Sequence, residues 1–325
     1  MKRYISLALM YWRHFCFFMK DIALKDLLEA GCHFGHKADR WHPKANAFIY
    51  QEREGIHVID LAKTRDGLLK AAQFLAKIGE EGGTVLFVGT KRQASAIIRE
   101  EAEKAGLAYI NRRWIGGFLT NWETIHKNLE KIRKLTEEQK TGAWNKYPKH
   151  ERVKLARYLT KLNYFYGGVV ALMKPPQALF VVDIKREAVA VAEAHTTNTP
   201  VVGIVDTNSD PSEVTYVVPA NDDAVGSVKL IVNFLAQAYA EGKSKYDKQI
   251  AQEAKKVEAE KIKAETEKAE EKTAVSAEPV KVDVAVVPTK VETAAAAAQK
   301  TSPAPKKVTK AVKPKAKATT DTKKE

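Results

Sequence analysis

Thr84-Val85-Leu86-Phe87-Val88-Gly89-Thr90-Lys91-Arg92 is the stretch on which the reading of this chain turns. The run 84–88 carries no charge and offers no polar face, so a strand here must be covered by protein on both sides. A helical period follows from Lys91 to Ala105, and Gly106 stands at the left-handed position that ends it. A fully apolar strand feeding a helix is the opening half of a parallel crossover unit. Working outward, Leu179 to Val182 and Val201 to Val205 repeat the uncharged run. A helix from Lys63 to Ile78, stopped by Gly79 and Gly82-Gly83, precedes the first strand. A helix from Asp222 to Ala240 closes the series, with Asn221 as its cap and Asp222 and Asp223 at its positive end. Phe48 to Tyr50 and His57 to Ile59 flank Gln51–Gly55 as a small hairpin, and an amphipathic helix begins just after Met19 (Ile22, Leu24, Leu27, Leu28). The fold class is α/β, with parallel strands and crossover helices.

Residues 122–166 break this rhythm. Thr120-Asn121-Trp122-Glu123 has the form of a capping box. Ile125, Leu129, Ile132 and Leu135 then recur at three- and four-residue steps, and after a turn near Gly142 and Pro148 the steps return at Leu155, Leu159, Leu162 and Tyr166. Gly167-Gly168 ends the second run. Two such seams describe an antiparallel helical hairpin that can project from the sheet.

Charge is distributed unevenly. The chain of 325 residues has a net charge of +14, and 45% hydrophobic residues leave ample material for a core. The hairpin 122–166 holds 11 basic and 5 acidic groups, and residues 243–325 hold 20 Lys and 13 acids. Residues 1–18 add three basic groups and no acid. The remaining body is close to neutral. A neutral body with a basic arm and a basic tail suits a polyanionic partner, nucleic acid before an acidic membrane. Two cysteines, Cys16 and Cys32, do not make a disulfide framework and suit a reducing compartment. No window approaches the roughly 18 apolar residues of a membrane span. Residues 1–18 are expected to be an extension or a mis-assigned start, and 19–242 the domain. Residues 243–325, rich in Lys, Ala, Glu and Pro, read as a largely disordered tail whose first part, 243–272, could extend the last helix.

Three kinds of site are weighed. An α/β enzyme would place groups beyond the strand ends, where Asp183, Asp206 and Gly89-Thr90-Lys91 fall. No phosphate-loop, dinucleotide or nucleophile-elbow spacing accompanies them. Catalytic residues and cofactors are therefore assigned to none. A nucleotide-using enzyme with a nucleic-acid-binding arm is the alternative. Zinc is not assigned either; were it bound, Cys32, His33 and His36 are the candidate ligands, although their spacing is not the usual paired one. RNA is favoured. Lys91, Arg92, Arg112 and Arg113 can meet phosphates and Trp114 can stack on a base, unless it is core. On the hairpin, Lys127, Lys131, Arg133, Lys134, Arg152, Lys154, Arg157 and Lys161 lie off the apolar seam.

Several ordered motifs then resemble one family. Leu28-Glu29-Ala30-Gly31-Cys32-His33-Phe34-Gly35-His36 and Trp41-His42-Pro43-Lys44 are similar to its N-terminal signatures. Phe87 to Arg92 and the run from Arg113-Trp114 to Asn121-Trp122 match its central ones. Ile204-Val205-Asp206-Thr207-Asn208-Ser209-Asp210-Pro211 and Pro219-Ala220-Asn221-Asp222-Asp223-Ala224 match those at its C-terminal end. The family is bacterial-type small-subunit ribosomal protein S-two, and the resemblance spans residues 27–242. It implies a flavodoxin-like α/β/α domain with an inserted coiled-coil hairpin. It also implies a structural role in the small ribosomal subunit, contact with small-subunit rRNA, help in docking ribosomal protein S-one, no catalysis, and a cytoplasmic ribosome before an organellar one. The first 18 residues and the tail depart from the pattern.

Overall fold

In a computed structural model of the chain, residues 22–274 are described. The readings of 1–18 and of the tail beyond Ala274 lie outside them. The chain divides into two compact units, Met1–Glu265 and Thr266–Glu325; the site and core below belong to the first.

The helices are α1 (Leu24–Glu29), α2 (Leu61–Glu80), α3 (Arg92–Ala105), α4 (Trp122–Lys140), α5 (Lys149–Tyr166), α6 (Ala188–Thr196) and α7 (Val225–Ala274). The strands are β1 (Phe34–Lys37), β2 (Ile49–Arg53), β3 (Ile56–Ile59), β4 (Val85–Val88), β5 (Ala108–Ile110), β6 (Ala178–Val182), β7 (Val201–Val205) and β8 (Tyr216–Pro219). The last five form a parallel sheet in the order β5-β4-β6-β7-β8. Counted along the chain that is the 2-1-3-4-5 order of flavodoxin-like sheets. Its switch point lies between β4 and β6.

Alternation along the uncharged strands builds two cores. Val85, Phe87, Phe180 and Val182 face a layer that includes Leu27, Leu75, Ile98 and Leu235 from α1, α2, α3 and α7. Leu86, Val88, Leu179 and Val181 face the other side, with Leu129, Leu159 and Val191 from α4, α5 and α6. Parallel register sets Phe87 beside Phe180, with ring centroids 4.8 Å apart. A run with no polar position was the sequence's mark of this double coverage.

The small hairpin forms through Glu54 and Gly55, both at positive φ (55° and 72°), as a tight twisted turn requires. It gains a third strand, β1, which no alternation of apolar and polar residues announces in Phe34–Lys37.

Three element ends differ from expectation. Helix α2 continues through Gly79 instead of stopping there. A Cβ on Gly79 would lie 2.7 Å from the Tyr239 carbonyl and 2.8 Å from the Lys243 amide, so this glycine admits the backbone of α7 rather than ending a helix. Helix α7 starts at Val225, not Asp222, because Asn221 Oδ1 accepts the amides of Asp223 (2.8 Å) and Ala224 (3.2 Å) in a turn ahead of the helix. The capping box of Thr120 and Glu123 does not open the hairpin; the capping position is Asn121, whose side chain makes no cap hydrogen bond. Helix α7 runs on to Ala274, in line with the reading that 243–272 could extend the last helix.

The hairpin is as expected, with arms of 19 and 18 residues, about 28 Å at 1.5 Å per residue. Ile125, Leu129, Ile132 and Leu159 are buried along the seam. Trp144, which the periodicity did not single out, closes the tip at 6% exposure and donates through Nε1 to Glu138 (3.3 Å). Among the described residues no helix is long and apolar enough to cross a membrane.

Candidate nucleic-acid interface

Two groups of charged side chains sit at the C-terminal side of the sheet and on the hairpin, and the fold treats them in opposite ways. The first surrounds Lys91. Leaving β4, the chain turns into α3, and the Lys91 ammonium reaches Asp222 Oδ1 (2.9 Å), Asp223 Oδ1 (2.6 Å) and Asp183 Oδ2 (3.4 Å). Asp183 leaves β6 with φ at 64°, a left-handed conformation that an aspartate tolerates better than most side chains. Burial works against the lysine charge. Hydrogen bonds to Asp223 and Asp222 outweigh it and hold the ammonium above the ordinary lysine range.

His36, at the end of β1, joins the cluster. Its Nδ1 lies 3.1 Å from Asp206 Oδ2 and its Nε2 3.4 Å from Asp223 Oδ2. The Asp206 hydrogen bond raises the imidazole above its usual range against the effect of burial. Asp222, wholly buried, is pushed up to about 7, first by burial and then by the neighbouring carboxylates of Asp206 and Asp183. The His36 amide donates to Thr207 Oγ1 (2.9 Å) and the Asn221 amide to the Cys32 carbonyl (3.1 Å). Lys44 Nζ binds Asp210 Oδ2 at 2.6 Å. The N-terminal motif is thereby latched onto the loops after β7 and β8.

Of the three metal-ligand candidates in the sequence only His36 joins a group of ligand-capable side chains among the described residues. Cys32 is wholly buried in the core and burial pushes its thiol up, which opposes the thiolate a zinc site needs. Among the described residues the group that gathers is His36, Asp206 and Asp222, with ligand-capable atoms within 4.8 Å of one another. One imidazole and two carboxylates suit a borderline divalent cation. Spacing along the chain could not reveal this set, because its members come from three separate segments.

Trp114 and the loop that carries it are also drawn inward. The indole is 7% exposed, and its Nε1 donates to Glu193 Oε1 at 3.0 Å. The amides of Gly117 (2.8 Å) and Leu119 (3.0 Å) donate to the same carboxylate. Glu193, a lone acid in the apolar helix α6, thus fixes the 114–119 loop. The reading of Trp114 as a stacking platform gives way to the core reading. Lys91 likewise serves the fold, its charge taken up by the carboxylates of Asp222, which is buried, and of Asp183 and Asp223. Arg133 does the same: Nε and Nη2 donate to the Val170 carbonyl (2.8 and 2.6 Å), and Nη2 also to that of Leu172 (2.7 Å). It pins α4 to the segment leading into β6.

The second group points outward. Arg92, Arg112, Arg113, Lys127, Lys131, Lys134, Arg152, Lys154, Arg157 and Lys161 are exposed. No salt bridge among the described residues engages them. Aromatic rings are interleaved with them on α5: Lys131 Nζ lies 4.9 Å from the Tyr158 ring centroid, and the Arg112 guanidinium 5.0 Å from that of Tyr164. A surface of unpaired cations with exposed rings can take up phosphate charge and stack on bases or sugars.

The crevice at the sheet switch point, where an enzyme of this topology would hold its ligand, is occupied by the Lys91–aspartate cluster. A family model for ribosomal protein S2 matches residues 27–242. With its five-stranded parallel sheet, helical hairpin and sheet-edge latch, the chain belongs to the ribosomal protein S2 family, structural proteins of the small ribosomal subunit.

Proposed function

We propose that the exposed cations of the hairpin and its root bind small-subunit rRNA, and that this chain anchors itself in the subunit by that contact. The observation that carries the reading is the contrast in pairing. Lys127, Lys131, Lys134, Arg152, Lys154, Arg157 and Lys161 share one projecting arm and have no carboxylate partner among the described residues. Like charges held together on one arm repel, and RNA phosphates offset that cost. Arg92, Arg112 and Arg113 extend the surface to the root. In the same reading the domain helps assembly and translation in a cytoplasmic, bacterial-type ribosome and supports docking of ribosomal protein S-one. The S-one contact rests on the family resemblance, and small subunits rebuilt without this chain should retain less of that protein.

The test for RNA is a salt series. Removing one cation that meets a phosphate should reduce the slope of log affinity against log salt by about 0.7–0.9. Replacing Lys127, Lys131, Lys134 and Arg157 with Gln should therefore weaken rRNA binding and flatten the slope by roughly 3 if all four meet phosphates. Stability should change by no more than about 0.5 kcal/mol per site. An unchanged slope would overturn the assignment of the arm.

A further inference from the structure

A cavity of about 630 Å³ opens at the foot of the arm, between α3 and α5, lined by Arg92, Ser95, Glu100, Arg112 and Tyr164 among others. That is the size range of small-ligand sites, and far too narrow for an RNA duplex. Its two ends differ in sign. Arg92 is the first residue of α3, at the positive end of the helix, and Arg112 stands over Tyr164 beside it. Glu100 lies eight residues further along α3, about 12 Å away at the helical rise. Arg99, on the same wall, is already bound to Glu103 at 2.9 Å, so the free cations are at one end and a carboxylate faces the other.

One face of α5 leads to the opening. Lys154, Arg157, Tyr158, Lys161 and Tyr164 are all exposed and recur at three- and four-residue steps, so they form one stripe. Tyr164, at the end of the stripe, is 54% exposed and forms part of the cavity wall. A chain of phosphates following the stripe arrives at the cavity, and a nucleotide has the polarity the cavity asks for. Its phosphate is anionic. Its base presents a flat face to stack on Arg112 and Tyr164, and a donor-bearing edge that Glu100 can accept.

We propose that this cavity receives one unstacked nucleotide of the RNA that the arm binds; the proposal rests on the RNA-binding reading above and adds to it the kind of RNA recognised. The full chain is titrated with two short RNA helices that differ only in one bulged nucleotide. The wild type should prefer the bulged helix by roughly tenfold, within the range for one base stacked on an aromatic side chain. Ala96→Trp, at an exposed position on the α3 wall of the cavity, fills the space without changing charge. It should abolish the preference while leaving affinity for the paired helix unchanged. With 2-aminopurine as the bulged base, emission should be quenched on binding the wild type, and quenching should disappear in Arg112→Gln, which leaves α3 untouched. Equal binding of the two helices by the wild type, or a preference that survives Ala96→Trp together with quenching that survives Arg112→Gln, overturns the proposal and leaves the RNA-binding reading standing. Failure of the wild type to bind either helix overturns both.

Discussion

Lys91 and Lys131 are the same residue type in one basic protein, and the fold uses them in opposite ways. Lys91 is 9% exposed and bound to three aspartates. Lys131 stands on the arm beside Tyr158 with no carboxylate partner among the described residues. The cluster at the switch point turns charge inward, where it locks loops from distant parts of the chain. The hairpin turns charge outward, where only a partner can neutralise it. The neighbours Arg133 and Lys134 repeat the contrast within one turn of helix, the first bound to carbonyls and the second exposed. A count of basic residues therefore overstates the surface open to RNA. Partners and burial decide which cations remain available.

The comparison breaks most readily at Lys91. Lys91→Met should leave Asp183, Asp222 and Asp223 without their cation and cost about 3–5 kcal/mol in urea denaturation. Lys131→Met should stay within about 0.5 kcal/mol. Similar losses for the two would erase the distinction.

Arg133→Gln comes next. Removing the charged hydrogen bonds to Val170 and Leu172 should destabilise by about 1.5–3 kcal/mol and leave the salt slope of RNA binding where it was. Lys134→Gln should do the reverse. A flattened slope in Arg133→Gln would return that residue to the binding surface.

A smaller effect is expected where α7 leaves the body. Lys245 bridges to Glu80 at 2.8 Å, and the Tyr246 ring packs so close to Gly82 that a Cβ there would lie 2.3 Å from it. Ending the chain after Gly242 should cost about 1–2 kcal/mol, because the aromatic burial goes with it. Ending it after Ile250 should leave the melting temperature unchanged, and equal melting of the two truncations would show that 243–250 adds nothing.

The smallest effect concerns Asp210. Its hydrogen bond from Lys44 holds its carboxyl well below the usual carboxylate range. A depressed folded value means stability that is present above the unfolded value, near pH 4, and is lost as pH falls toward the folded one. The melting difference between wild type and Lys44→Met should thus be present at neutral pH and fade below about pH 4. It should stay under about 1 kcal/mol, because the pair is close to solvent. A difference independent of pH would show that Lys44 acts through its aliphatic stem.

How much of this was legible depends on the distance over which the information is carried. Strands β4, β6 and β7 announced themselves, because a strand covered on both faces can hold no charge at any position. The hairpin did so too, since its seam repeats within each helix. The end of α2 did not, for a related reason. A glycine that ends a helix and a glycine that admits another backbone look alike in sequence, and only the approach of Tyr239 and Lys243 to Gly79 tells them apart.

The sequence alone determined the buried strands β4, β6 and β7, the parallel α/β class, the arm and its excess of charge, because each rests on periodicity or composition within a few turns of chain. The tertiary structure alone decided which charges are satisfied within the fold. Lys91 and Asp222 are 131 residues apart, Trp114 and Glu193 are 79 apart, and Arg133 meets carbonyls 37 and 39 positions away. No local pattern encodes such pairs. Electrostatic energy depends on separation in space and on exclusion of water, and both are set only when the sheet brings its strand ends together.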